Sequence, residues 1–215
     1  MPSRQTIQVF QDLHISGGAA LDHPGLRNAL IGLAQPPWSY LKDDASGEQQ
    51  SLRFKRAASE EVKAAVVVLW LTRDGYKVSN VVPVEVGQLD YAEYNRVLNA
   101  FLKEIAEPAA HQIGYASSLS EPELPISAWL GAIGAEALRK FSAIANKSTG
   151  SGHPADEKRW MEFLIEAHRH DAKLDGSTLR RWLIEVEQWP DSVAERLTGE
   201  YDFALDLLKQ YDKCK

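Results

Sequence analysis

Apolar residues repeat every two positions, then every three or four, across the first half of the chain; the second half keeps the helical spacing alone. In Thr6–Ile15 the apolar residues Ile7, Val9, Leu13 and Ile15 follow a strand period that breaks at Gln11. Gly17-Gly18 ends that run, and His23-Pro24-Gly25 opens a short helix through Leu26, Leu30, Ile31 and Leu33. Pro36-Pro37 stops it, Trp38–Leu41 reads as a short strand, and the polar stretch Asp43–Gln50 as a loop. Ala64–Thr72 is β-branched and apolar at successive positions, which predicts a buried central strand. Arg73-Asp74-Gly75 turns it into a hairpin with Tyr76–Val84.

Asp90 and Glu93 have capping-box spacing before a helix whose stripe is Tyr94, Val97, Leu98, Phe101, Leu102 and Ile105. Pro108 is expected beyond its end, and His111–Leu119 returns as a strand. Strand, helix, strands, helix, strand over residues 6–119 predicts a ferredoxin-like βαββαβ variant, enlarged by any further strands near residues 38–57. After Pro122 and Pro125 every apolar stripe is helical. The first runs from Trp129 to Ile144, the second through Trp160, Phe163, Leu164 and Ala167. The third is Leu179, Trp182, Leu183 and Val186, and the last runs from Leu197 to Tyr211. Pro154, Ser177 and a Ser192/Glu195 box are the expected start signals of the last three. The expected class is α+β. An N-terminal mixed sheet with one or two packed helices (1–121) precedes a helical segment of about four helices (122–215).

Composition narrows the partners. The chain has 215 residues, 44% hydrophobic and 25% charged, with net charge −6. An acidic surface repels phosphate backbones, so nucleic acid is not an expected partner. A helix-turn-helix reading of 178–211 fails on the same ground, because its second helix carries Glu195, Glu200, Asp202 and Asp206. No apolar run is long enough to span a membrane, and the N-terminus lacks the apolar core of a secretory signal. The single cysteine, Cys214, can form no internal disulfide. These features point to the cytoplasm.

Three groups of residues are candidates for chemistry or contact. Lys147, Ser148, Thr149, Gly150, Gly152 and His153 form a flexible, hydroxyl-rich loop before a helix N-terminus, where backbone N–H groups can hold an anion. The same pattern suits a plain inter-helix connector with local caps. Glu166 and His170, four apart on one helix, are two potential metal ligands, although an ordinary helix end uses the same residues. Trp38 and Trp189 lie beside prolines, where a tryptophan either anchors a partner or packs a turn. No cofactor is expected. The reading is a non-enzymatic cytoplasmic protein that binds another protein, antitoxin-like, immunity-like or regulatory. The alternative is a small enzyme, or a phosphate or nucleotide binder, using the Lys147–His153 loop.

Overall fold

A computed structural model describes residues 5–18, 21–42 and 51–214. The expected loop Asp43–Gln50 lies outside them. The chain forms two compact units. Gln8–Pro122 is a sheet unit, and Glu123–Lys215 joins with Met1–Ile7 in a helical unit. The covalent chain passes between them twice.

In the sheet unit, β2 (Leu13–Gly17), β3 (Trp38–Leu41), β4 (Ser51–Arg56), β5 (Ala65–Leu71), β6 (Gly75–Pro83) and β7 (Tyr115–Leu119) make one six-stranded sheet. Its order is β3-β4-β5-β6-β2-β7, antiparallel throughout. Taken alone, β2, β5, β6 and β7 lie in the order fourth, first, third, second, which is the ferredoxin-like strand order. The added hairpin β3-β4 extends its β5 edge. The break foreseen at Gln11 separates β2 from β1 (Ile7–Gln8), which pairs instead with β8 (Glu123–Leu124).

Strand alternation places Leu52, Phe54, Ala65, Val67, Leu69, Tyr76, Val78 and Val81 on one buried face. Against it pack α1 (His23–Gly32), through Leu26 and Leu30, and α2 (Tyr91–Phe101), through Val97, Leu98 and Phe101. The Phe101 ring lies 5.3 Å from both Trp38 and Phe54. The Asp90/Glu93 capping box forms as expected. The helix does not stop before Pro108. It widens into a π-helical segment, Leu102–Ala106, and continues as α3 (Glu107–Gln112). The Glu107 N–H reaches the Leu102 carbonyl, five residues back, and Pro108 falls in the first turn of α3, where a missing N–H is tolerated.

Gly75 begins β6 opposite Ser16 at φ 158°. A Cβ built there would lie 1.9 Å from the Ile15 carbonyl oxygen, so β2 and β6 approach more closely than any side chain allows.

The helical unit holds α4 (Ser127–Ile144), α5 (Pro154–Arg169), α6 (Gly176–Glu185) and α7 (Asp191–Lys213). Gly131, at φ 68° and ψ 178°, breaks α4 after its first turn. The core collects Phe141, Trp160, Phe163, Leu179, Trp182, Trp189, Leu197 and Tyr201, with Ile7 supplied from the other end of the chain. The Tyr201 hydroxyl donates to the Leu174 carbonyl at 3.0 Å, and burial pushes its pKa up.

The starts of these helices differ in part from expectation. His153 caps α5 through Nδ1, which accepts from the Ala155 N–H. The expected Ser192/Glu195 box does not form, because Pro190 already ends the preceding turn and α7 begins at Asp191. For α6 the cap is Asp175, which accepts from the Thr178 N–H at 2.8 Å and from the Ser177 and Thr178 hydroxyls. Burial raises the pKa of this carboxyl, but these hydrogen bonds outweigh it and hold the group below the ordinary aspartate value. Asp175→Ala should therefore cost about 1 kcal/mol at neutral pH. A carboxyl with a depressed folded pKa contributes fully above its unfolded pKa, roughly 3.9, and the contribution fades as pH falls through the folded value. Denaturation curves of both proteins should converge in that acid range; a gap persisting below it would refute the capping role.

Candidate functional site

The Lys147–His153 loop joins α4 to α5, and its polar groups are used within the helical unit. Lys147 Nζ donates to the Glu187 carbonyl and sits 5.9 Å above the centre of the Trp189 ring. The Ser148 N–H and hydroxyl both donate to Asn146 Oδ1, and the N–H groups of Thr149 and Gly150 donate to the Asn146 carbonyl. Gly150, buried at φ 61°, lies under the Arg196 guanidinium, which donates to the Thr149 carbonyl at 2.8 Å. The Ser151 hydroxyl donates to Glu200 at 3.1 Å. Gly152 donates to the Thr149 carbonyl at 3.1 Å. N–H groups that face their own carbonyls, beside a carboxylate, do not form an anion cradle. The geometry favours the connector.

Glu166 and His170 face each other at 3.4 Å, and Glu166 also accepts from Arg169 at 2.9 Å. Among the described residues no group of three or more potential ligands converges on a metal position. The neighbouring His168 meets Asp212 at 2.7 Å and so ties α5 to α7.

Trp38 and Trp189 are each 2% exposed. The expectation that either offers a surface anchor is corrected: both pack inward. The Trp38 indole donates to Glu104 at 2.6 Å, and Trp189 stacks on Phe141 and donates to Ser142 at 2.7 Å. Proline fixes the backbone beside them but does not decide which way the ring points.

The open face of the six-stranded sheet carries the surface that sequence reading missed. Ala64–Thr72 looked buried on both faces, and β5 is indeed flanked by strands on both edges. Among the described residues only one of its faces is covered. On the other, Val66 and Val68 are half-buried, and Trp70 is 49% exposed. The register sets Ser51, Trp70, Lys77, His14 and Ser118 side by side across five strands. The next rows are Leu41, Arg53, Val68 and Asn80, then Ser39, Lys55, Val66 and Val82. A bulge between Val68 and Leu69 realigns β5 on β6 and brings Trp70 level with Lys77. None of these outward positions holds a carboxylate, in a chain whose net charge is −6. A cross-strand aromatic, an aliphatic stripe and a cationic border thus share one flat surface.

No protein-family model, curated protein or solved structure matches the chain. Among the described residues no helix is long and apolar enough to cross a membrane.

Proposed function

We propose that this is a non-enzymatic cytoplasmic binding protein whose open sheet face docks a partner protein with an acidic surface. The observation that carries the reading is the charge segregation around Trp70. Lys77 lies beside the exposed Trp70 and Lys55 beside Val66, with Val68 and Val82 on the same face, and among the described residues none of the outward positions in these rows is a carboxylate. Protein interfaces concentrate energy in such an aromatic centre, while bordering charges select the partner and speed the encounter. A single-stranded nucleic acid would need successive stacking platforms, and this face offers aliphatic side chains around one indole. A regulatory, antitoxin-like or immunity-like role fits a surface of this kind.

The test is comparative capture from the native host. Wild-type protein should retain a partner that Trp70→Ala binds about 30-fold more weakly, the loss expected of a ~2 kcal/mol hot spot. Lys55→Glu with Lys77→Glu should slow association and abolish its salt dependence. Charge reversal at Lys173, an exposed lysine of the helical unit, is the control and should leave binding unchanged. Binding indifferent to both sheet-face variants would refute the reading.

A further inference from the structure

We propose that a second site, independent of the open sheet face, binds an oxyanion carried by a small ligand. It is a concavity of about 640 Å³, a volume typical of small-molecule pockets. Its floor is Arg56, the last residue of β4. One wall is the turn after it, through Ser59; the other is α2 and the π-helical segment, through Arg96 and Lys103.

Arg56 carries the argument. It is 6% exposed, and its guanidinium lies 5.9 Å from the centre of the Trp38 ring. Nη1 donates to the Ala57 carbonyl at 3.1 Å and to the Ser59 hydroxyl at 3.4 Å, while among the described residues the buried Nε has no hydrogen-bond partner. No carboxylate among the described residues pairs with it. A buried cation without a counter-ion is costly, and the cost falls when an anion enters. With Nη1 engaged and Nε enclosed, Nη2 is the guanidinium donor left to meet a phosphate or carboxylate oxygen.

The neighbouring cations are arranged in the same way. Among the described residues Arg96 donates only to carbonyls, those of Ala92 at 3.3 Å and Glu61 at 3.2 Å. Lys103 is exposed on the π-helical segment, a local widening that recurs at functional sites. The carboxylates nearby do not neutralise the floor. Glu60 and Glu61 are exposed at the rim, and Glu104 accepts the Trp38 indole N–H at 2.6 Å. An oxyanion at Arg56 would thus enter a concavity that Arg96 and Lys103 also line, and the rim carboxylates would reject a ligand that is anionic along its whole length.

The experiment is a ¹H–¹⁵N NMR titration with inorganic phosphate at constant ionic strength, with acetate in a parallel arm. Saturable shifts are expected at the amides of Ala57, Ser59, Arg96 and Lys103. A tighter response to phosphate assigns a phosphorylated ligand, and a tighter response to acetate a carboxylate one. Arg96→Gln with Lys103→Gln, both at exposed positions, should weaken binding at least tenfold. Arg56→Met should abolish it without lowering the melting temperature of the ligand-free protein, because it removes a buried charge that no carboxylate among the described residues pairs. Shifts that do not saturate, or that persist in the Arg96/Lys103 double variant, overturn the proposal. A drop in melting temperature for Arg56→Met alongside undiminished binding by the double variant overturns it too, and makes Arg56 a structural cation.

Discussion

Replacing Trp189 with alanine should destabilise the helical unit by about 3–5 kcal/mol, the range for deleting a buried large aromatic. Several contacts would go together. The indole stacks on Phe141 with centroids 5.4 Å apart and an 8° angle between the rings. Its N–H donates to Ser142, whose hydroxyl donates onward to Glu187 at 2.7 Å. Its face also receives Lys147. Alanine leaves a cavity, removes the donor from a buried serine oxygen and releases the lysine. Trp189→Phe separates these effects: it keeps most of the stack and should cost about 1–1.5 kcal/mol, mostly for the lost hydrogen bond. Denaturant melts followed by circular dichroism would measure both. A loss under 1 kcal/mol for the alanine variant would mean that the ring does not hold this corner together.

The second large effect is expected at Gly75. Gly75→Ala should cost about 3 kcal/mol or more, beyond ordinary overpacking, because the obstacle is backbone that cannot rotate away. The added carbon would meet the Ile15 carbonyl carbon at 2.9 Å as well as its oxygen at 1.9 Å. Strand β2 lies between β6 and β7, so forcing it from β6 disturbs two ladders. The flanking bonds from Gly17 to Asp74 and from Thr72 to Gly75, both 2.8 Å, would be strained as well. Amide exchange should rise first in β2 and β6. Wild-type protection at Ile15 and Tyr76 in the variant would contradict this.

Much of the architecture was legible because it rests on local periodicity. The β5-β6 hairpin, the capped α2 and the helical stripes after residue 126 each declare themselves within a dozen residues. The sequence of element types suggested a ferredoxin-like unit, but the strand order itself rests on long-range pairing and was not legible. Strand β4 was harder to read. Its alternation of Leu52 and Phe54 with Arg53 and Lys55 is short and highly charged. Pro108 misled because the π-helical widening that accommodates it has no residue signature. The functional surfaces were hidden for another reason. Trp70, Lys77 and His14 become neighbours only through strand register, and the Arg56 pocket draws on segments about forty residues apart. The loop from Lys147 to His153 had the composition of an anion site, but the acceptors that occupy its donors come from Asn146, Glu187 and Glu200.

The double passage of the chain between the units has a consequence for biosynthesis. Ile7 is fully buried among residues that run from Ile126 to Leu205. It leaves the ribosome ahead of the sheet unit and finds its packing partners only after that whole unit has been made, on the order of ten seconds later at ordinary rates of translation. The sheet unit can close while its flanking strand end at Ile7 still waits. The helical unit cannot complete its core by growing from one end, so it should be the later of the two to acquire full protection during synthesis. A fragment starting at Glu123 would lack a core side chain that no residue of its own replaces.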